Sequence, residues 1–148
     1  MSAENATTGR RGLWVGAWLG WMALIAISSH IPGDQVSQLP FGGADKAAHI
    51  AVYFILGVLG VGAVARLQRH WPRPLLGSAA LVVGALFGAA DEYHQSFVPG
   101  RQQSMEDWLT DLLGLALAVI IARAARGGLA RRWLVRDEGS ETEAGGTA

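Results

Sequence analysis

The sequence predicts an all-α integral membrane protein with four transmembrane helices and both termini in the cytoplasm. Three observations carry this prediction. Of the 148 residues, 51% are hydrophobic and only 16% are charged, against about 25% charged residues in ordinary soluble domains. The apolar residues gather in four runs whose lengths suit bilayer-spanning helices. The basic residues fall mainly in alternate connecting segments, as the positive-inside rule requires.

Composition also excludes several classes of function. The chain has 12 Lys and Arg residues and 12 Asp and Glu residues, so its formal net charge is zero. It therefore lacks the clustered basic surface and high pI of a nucleic-acid-binding protein. It contains no cysteine, which excludes disulfides, thiolate metal sites and thiol nucleophiles. A chain of this length is expected to form one domain.

Each apolar run has few polar interruptions. The second is broken only by His49 and Tyr53, the third has no ionisable residue, and the fourth contains one acid, Asp111. A spanning helix needs about 20 mostly apolar residues, so neighbours such as Trp108 complete the shorter runs. The four runs cover residues 13–28, 47–65, 74–90 and 109–122.

Two other interpretations of the apolar runs disagree with the sequence. A soluble four-helix bundle would have polar outer faces at a period of 3.6 residues, whereas residues 81–87 and 115–121 are apolar all round. A cleaved signal peptide would end in a small-residue site of the Ala-x-Ala type. No such site follows the first run, and that run contains three tryptophans. Both observations favour four membrane-spanning helices.

The basic residues predict the orientation. Ten of the 12 lie before the first run, between the second and third, or after the fourth. The other two, Lys46 and Arg101, lie in the remaining connections. Because cytoplasmic loops carry the excess of Lys and Arg, both termini should be cytoplasmic.

We divide the chain into four segments along its length. The C-terminal basic segment suits either contact with anionic head groups or a simple positive-inside anchor. The last residues lack large apolar side chains, so we expect them to be disordered. The segments are a cytoplasmic tail (1–12), a four-helix membrane domain (13–124), a basic juxtamembrane segment (125–136) and a disordered acidic tail (137–148).

Polar residues collect at the ends of the runs that should face outward. Ionisable groups at membrane depth cost about 2.5–3.5 kcal/mol each and usually face the protein interior or a cavity. Singly they have structural interpretations, since Asp45 and Asp107 can cap helices and Lys46 can reach the head groups. Together they predict one shared polar site. The set comprises Asp45, Lys46, His49, Tyr53, Asp91, Glu92, His94, Gln95, Arg101, Glu106, Asp107 and Asp111.

Spacing places several of these side chains on common helix faces. Asp45, His49 and Tyr53 follow at i, i+4 and i+8, which makes one stripe on a helix. Asp107 and Asp111 make another at the start of the fourth helix. Small residues near these stripes should let neighbouring helices approach closely. They are Gly57, Gly60, Gly84 and Gly88, while Gly114 continues the stripe of Asp107 and Asp111.

The same residues make the chain resemble the VanZ-like family of small bacterial membrane proteins, across about residues 13–124. The family usually has Asn where this chain has Asp111, and an ionised Asp can only accept hydrogen bonds. The matching elements are Ser28-Ser29-x-x-Pro32-Gly33, Asp45-Lys46-x-x-His49-x-x-x-Tyr53, Asp91-Glu92-x-His94-Gln95-x-Phe97-Val98-Pro99-Gly100-Arg101 and Asp107-x-x-x-Asp111-x-x-Gly114.

The resemblance implies a four-helix, multi-pass protein of the bacterial envelope, located in the cytoplasmic (inner) membrane. The namesake of the family is linked to resistance against the glycopeptide antibiotic teicoplanin. Many relatives occur without any resistance cluster, so we do not predict resistance for this chain.

Three functional hypotheses follow. The first is an enzyme that acts at the outer membrane boundary on a lipid-linked or envelope glycan substrate. The second is a non-catalytic module that binds an envelope precursor, a lipid or a glycopeptide antibiotic. The third is a purely structural role for the polar contacts. Under the first hypothesis the catalytic residues are Asp45, His49, Glu92 and Asp107, and the substrate-binding residues are Lys46, Tyr53, His94, Gln95, Arg101 and Asp111.

We predict no cofactor and no metal ligands, because the chain lacks a compact ligand motif such as H-E-x-x-H. Membrane lipids and the substrate are the predicted partners, and nucleic acid is not. A metal-dependent version of the enzyme would draw its nitrogen and oxygen ligands from His49, His94, Glu92, Asp107 and Asp111.

Overall fold

The structure is a computed structural model that describes residues 3–33, 44–68 and 70–143. Within these ranges the chain is helical and has no strand. The four helices are α1 (Ala3–Ser29), α2 (Ala44–Leu67), α3 (Arg73–Gln95) and α4 (Met105–Glu143). Each contains a stretch long and apolar enough to cross a membrane. The predicted four-helix membrane fold is therefore confirmed, while the orientation of the termini stays a prediction.

The end of α4 differs from the expectation. Residues 137–148 were expected to be disordered, but α4 continues through Glu143, and residues 144–148 lie outside the described part of the chain. No proline interrupts residues 105–143, so no residue there removes a backbone donor from the helix.

The helix α2 is the centre of the bundle and packs most extensively along α4, with α1 and α3 on its other sides. Glycine explains the close approach of α2 to α4. A Cβ atom built on Gly57 would lie 2.7 Å from the Cβ of Ala118, and one on Gly114 would meet the backbone of Ile50 and Phe54. The predicted close-packing role of Gly57 is confirmed, and the structure adds Gly114, for which no packing role was predicted.

The core and the outer surface are both apolar. Leu56 and Leu115 are fully buried between α2 and α4. Large apolar side chains are exposed on the outer faces, among them Leu13 (70% exposed), Leu86 (67%) and Ile120 (60%). An outer surface of this kind suits contact with lipid.

Tryptophan side chains tie neighbouring helices together. The indole Nε1 of Trp21 donates to the Val52 carbonyl at 3.0 Å, which joins α1 to α2. The Nε1 of Trp108 donates to the Ala85 carbonyl at 3.1 Å, which joins α4 to α3. Each bond satisfies the polar atom of a large apolar ring.

All four helices place a terminus at one end of the bundle, which we call the site end. There α1 and α3 finish and α2 and α4 begin. At the start of α4 the Oγ of Ser104 accepts the backbone N–H of Asp107 at 3.1 Å. Ser104 is therefore the N-cap of α4, and Asp107, also considered as a cap, lies three residues further on.

Candidate functional site

Two hydrogen bonds to backbone carbonyls join the connecting segments at the site end. The N–H of Gly33 donates to the Pro99 carbonyl at 3.1 Å. The Nε of Arg101 donates to the Ile31 carbonyl at 3.2 Å. The segment after α1 is thus fastened to the segment between α3 and α4, and Arg101 is held over the site end.

A histidine–aspartate pair joins α2 to α4 below these connections. The Nδ1 of His49 lies 2.9 Å from the Oδ1 of Asp111. Asp111 is only 1% exposed, whereas the His49 side chain is partly exposed. Gly114 lies on the same α4 face one turn after Asp111, and its contact with the α2 backbone sets the helices close enough for this bond.

Glu92, on α3, lies beside the His49–Asp111 pair. It is buried, and its Oε2 accepts the backbone N–H of Ser104 at 2.8 Å. One potential metal-ligating atom from each of His49, Glu92 and Asp111 lies within 4.8 Å of the others. We call these three residues the carboxylate–histidine cluster. The structure therefore gathers in one site three residues that the sequence assigned to three helices.

Tyr53 and Gly88 line the inner side of the cluster. Tyr53 is buried, and within the described residues neither its hydroxyl oxygen nor the Oδ2 of Asp111 has a hydrogen-bond partner. A Cβ atom built on Gly88 would lie 3.4 Å from each of these two oxygens. The two atoms therefore face the same small space above the α3 backbone.

A second buried network lies beside the cluster. The Oδ2 of Asp91 accepts hydrogen bonds from the Ser29 hydroxyl at 2.7 Å and from the Gln95 amide at 3.1 Å. All three residues are buried. The sequence analysis assigned Gln95 to substrate binding, placed Asp91 in the shared polar set without a catalytic or binding role, and included Ser29 only in the family motif. The i, i+4 spacing of Asp91 and Gln95 was the available signal for their bond.

The charged residues at the site end of α2, Asp45 and Lys46, lie at the rim. The Nζ of Lys46 pairs with Glu106 at 2.7 Å and lies 3.7 Å from the Oδ1 of Asp107. The sequence analysis placed Glu106 in the shared polar set without a catalytic or binding role, and the structure pairs it with Lys46. Asp45 is exposed.

His94 has a different environment from the other predicted site residues. Its Nε2 lies 3.1 Å from the Nε2 of His30, at the end of α1. It lines neither of the two pockets described next. The predicted substrate-binding residue is thus paired with another histidine beside the site.

Two pockets at the site end share His49, Gln95 and Arg101, and a separate pocket of about 180 Å³ is lined by Glu92, Ser104 and Trp108. The inner pocket has a volume of about 150 Å³ and reaches Tyr53 and Asp91, with apolar walls from Ile25, Ala48 and Val52. The outer pocket has a volume of about 590 Å³ and is lined by polar groups that include Asp45 and Asp107. His49 therefore lies where an apolar recess meets an open polar basin.

Comparison with known proteins identifies one family. A family model described as VanZ/LLP1 matches residues 14–126, a range that includes all the predicted site residues. No curated protein matches the chain, and no solved structure matches it.

Proposed function

The chain belongs to the VanZ/LLP1 family, and on that premise we propose that it is an enzyme acting at the outer membrane boundary on a lipid with a phosphate- or glycan-bearing head group. One observation carries the proposal. His49 is paired with a buried aspartate and lies where the inner and outer pockets meet. A histidine held in this way suits general acid–base chemistry on a substrate that enters from the membrane surface.

The pairing gives His49 a defined chemical role. When the Nδ1–H of the imidazole donates to Asp111, Nε2 is left as the proton acceptor. The imidazole can then take a proton from water or from an acceptor hydroxyl as that oxygen attacks the head group. Asp111 orients the ring and stabilises the imidazolium that forms. Glu92 lies within 4.8 Å of both and lines a separate pocket with Ser104 and Trp108, so it is the candidate acid for a leaving group that extends past His49.

The pockets fit an amphiphilic substrate. Ile25, Ala48 and Val52 give the inner pocket apolar walls that suit the start of a lipid chain. Arg101 lines both pockets and donates its Nε to the protein backbone. Its two Nη groups remain for a phosphate or carboxylate of the head group. The outer pocket supplies carboxylate acceptors for glycan hydroxyls.

Head-group analysis of native lipids tests this proposal. Purified protein would be incubated with a bacterial polar lipid extract, and released and remaining head groups would be followed by mass spectrometry. We expect the wild type to convert one lipid class. His49→Gln should lower the rate by at least about 10²-fold. The matched control is His70→Gln in the α2–α3 connection, at the opposite end of the bundle, which should keep the rate.

Binding without turnover is the second candidate function. The size and polar lining of the outer pocket favour it, because a basin of this kind can hold a head group without chemistry. It predicts that a lipid remains bound through purification while no product forms, and that Asp107→Asn weakens binding gradually. A rate that is the same in His49→Gln as in the wild type would remove the enzyme proposal.

A further inference from the structure

The carboxylate–histidine cluster contains two buried carboxyl groups and one histidine. Glu92 is 3% exposed and Asp111 is 1% exposed. Among residues 9, 11–33, 45–68, 70–72 and 74–125, whose side chains the structure describes, the ion pairs are those of Lys46 with Glu106 and Asp107 and that of His49 with Asp111. Glu92 therefore has no cationic partner in that part of the chain. Buried carboxylates are normally paired or bound to a metal ion.

Two buried oxygens at the cluster indicate that a further group binds there. The Asp111 Oδ2 and the Tyr53 hydroxyl are buried and have no hydrogen-bond partner among the described residues. Tyr53 is 2% exposed and lies outside the cluster, so it is an observation independent of the carboxylates. Both oxygens face the space above Gly88, where any larger residue would place a Cβ atom 3.4 Å from each. Buried polar groups of this kind require a bound partner.

We propose that His49, Glu92 and Asp111 bind a divalent transition-metal ion of the zinc or manganese class. The donor set is one imidazole nitrogen and two carboxylate oxygens, which suits these ions better than magnesium or calcium, whose ligands are mainly oxygens. The potential ligand atoms lie within 4.8 Å of one another. Bonds of about 2.1 Å in tetrahedral geometry need ligand separations of about 3.4 Å, so binding requires side-chain adjustments of about 1 Å and a rearrangement of the His49–Asp111 hydrogen bond.

The remaining coordination positions explain the position of Tyr53. Three protein ligands leave at least one position open for water or substrate. A water at that position can accept a hydrogen bond from the Tyr53 hydroxyl in the space above Gly88. With an ion bound, His49 and Glu92 are ligands and no longer act as general base and general acid, so the ion would supply the activated water in their place. The inference therefore goes beyond the proposed function and keeps from it only the place of the substrate, and the binding of the ion does not depend on turnover.

Metal content and thermal stability test the inference directly. Wild-type protein purified without chelator should contain about one zinc or manganese ion per chain. Chelator-treated protein should gain thermal stability when Zn²⁺ or Mn²⁺ is added, and less when Mg²⁺ is added at the same concentration. Because ligand loss weakens binding, Glu92→Gln should lower metal affinity by at least about tenfold.

Asp91→Asn is the matched control. It makes the same carboxylate-to-amide change at the adjacent buried residue, outside the cluster, and should keep the metal. If Glu92→Gln does not fold, His49→Gln serves for the same comparison. Wild-type protein that binds no metal and gains no stability from any of the ions would overturn the ion site, even if lipid turnover persists. Metal binding without turnover would keep the ion site and remove the proposed enzyme.

Discussion

At the scale of single residues, the site combines a satisfied aspartate with an unsatisfied one. Asp91 and Asp111 are both buried, yet Asp91 accepts two side-chain hydrogen bonds through one oxygen. Asp111 bonds His49 through one oxygen and leaves the other without a partner in the described chain. An unsatisfied buried oxygen lowers stability, so the protein tolerates at Asp111 a cost that it avoids at Asp91. We interpret this difference as the signature of function at Asp111.

Asp111→Asn separates a functional role from a structural one. The amide has nearly the same shape as the carboxylate and keeps an oxygen that can accept the His49 Nδ1–H, but it removes the charge that stabilises the imidazolium. We expect thermal unfolding in detergent to occur at the same temperature, while lipid turnover falls by at least about 10²-fold. If turnover and melting temperature fall in proportion, the carboxylate serves packing only.

Asp91→Ala, in contrast, should lower the stability of the protein. It leaves the buried Ser29 hydroxyl without its Asp91 acceptor and Gln95 without its bond to the same carboxylate. We expect a loss of about 1–3 kcal/mol in the free energy of unfolding, measured by denaturation in detergent micelles. Ser28→Ala is the control, because the Ser28 hydroxyl bonds only the Ile25 carbonyl in its own helix. An equal loss in the two variants would contradict the importance of the Asp91 network.

At the scale of helices, the site depends on how closely α2 and α4 approach. His49 and Asp111 are carried on these two helices, and Gly114 packs directly on the α2 backbone between them. A side chain at position 114 would move the helices apart and lengthen the His49–Asp111 bond. Packing between α2 and α4 is therefore part of the chemistry of the site and not only of its stability.

Gly114→Ala measures this coupling. The added methyl group meets the Ile50 carbonyl and the Phe54 N–H of α2, and overpacking of this kind costs about 1–3 kcal/mol. We expect both a lower melting temperature and reduced turnover. Gly20→Ala in α1 is the matched control, since a Cβ there meets nothing within 4 Å and alanine favours the helix by about 1 kcal/mol. A melting temperature that falls equally in both variants would contradict the packing role of Gly114.

At the scale of the whole molecule, the charge distribution predicts which side of the membrane the site faces. The site end contains the clustered acids, while most arginines lie toward the other end of the helices. The positive-inside rule then places the site end outside the cytoplasm, where an envelope lipid can reach the outer pocket.

Cysteine labelling tests this orientation without background, because the chain has no cysteine of its own. Ser96 is exposed at the site end, and His70 is exposed in the α2–α3 connection. We expect Ser96→Cys to react with a membrane-impermeant maleimide on intact spheroplasts, and His70→Cys to react only after the membrane is opened. The reverse pattern would place the site in the cytoplasm.

Sequence patterns could predict the spans and the depth of each polar residue, because hydropathy and basic residues depend only on position along the chain. They also indicated that His49, Glu92 and Asp111 lie at the same end. They could not predict partners, since these depend on how each helix is rotated and on how its side chains are turned. For this reason Asp91 with Ser29, Lys46 with Glu106 and His94 with His30 emerge only from the structure.

The most direct test of one shared site on three helices is a comparison of lipid turnover in single and double variants. His49→Gln and Glu92→Gln would each be measured alone and then combined. Residues that act as one unit are strongly non-additive, so the double variant should lose no more than about the larger of the two single losses. If the two losses multiply, or if either single variant keeps the wild-type rate, His49 and Glu92 do not form a shared site.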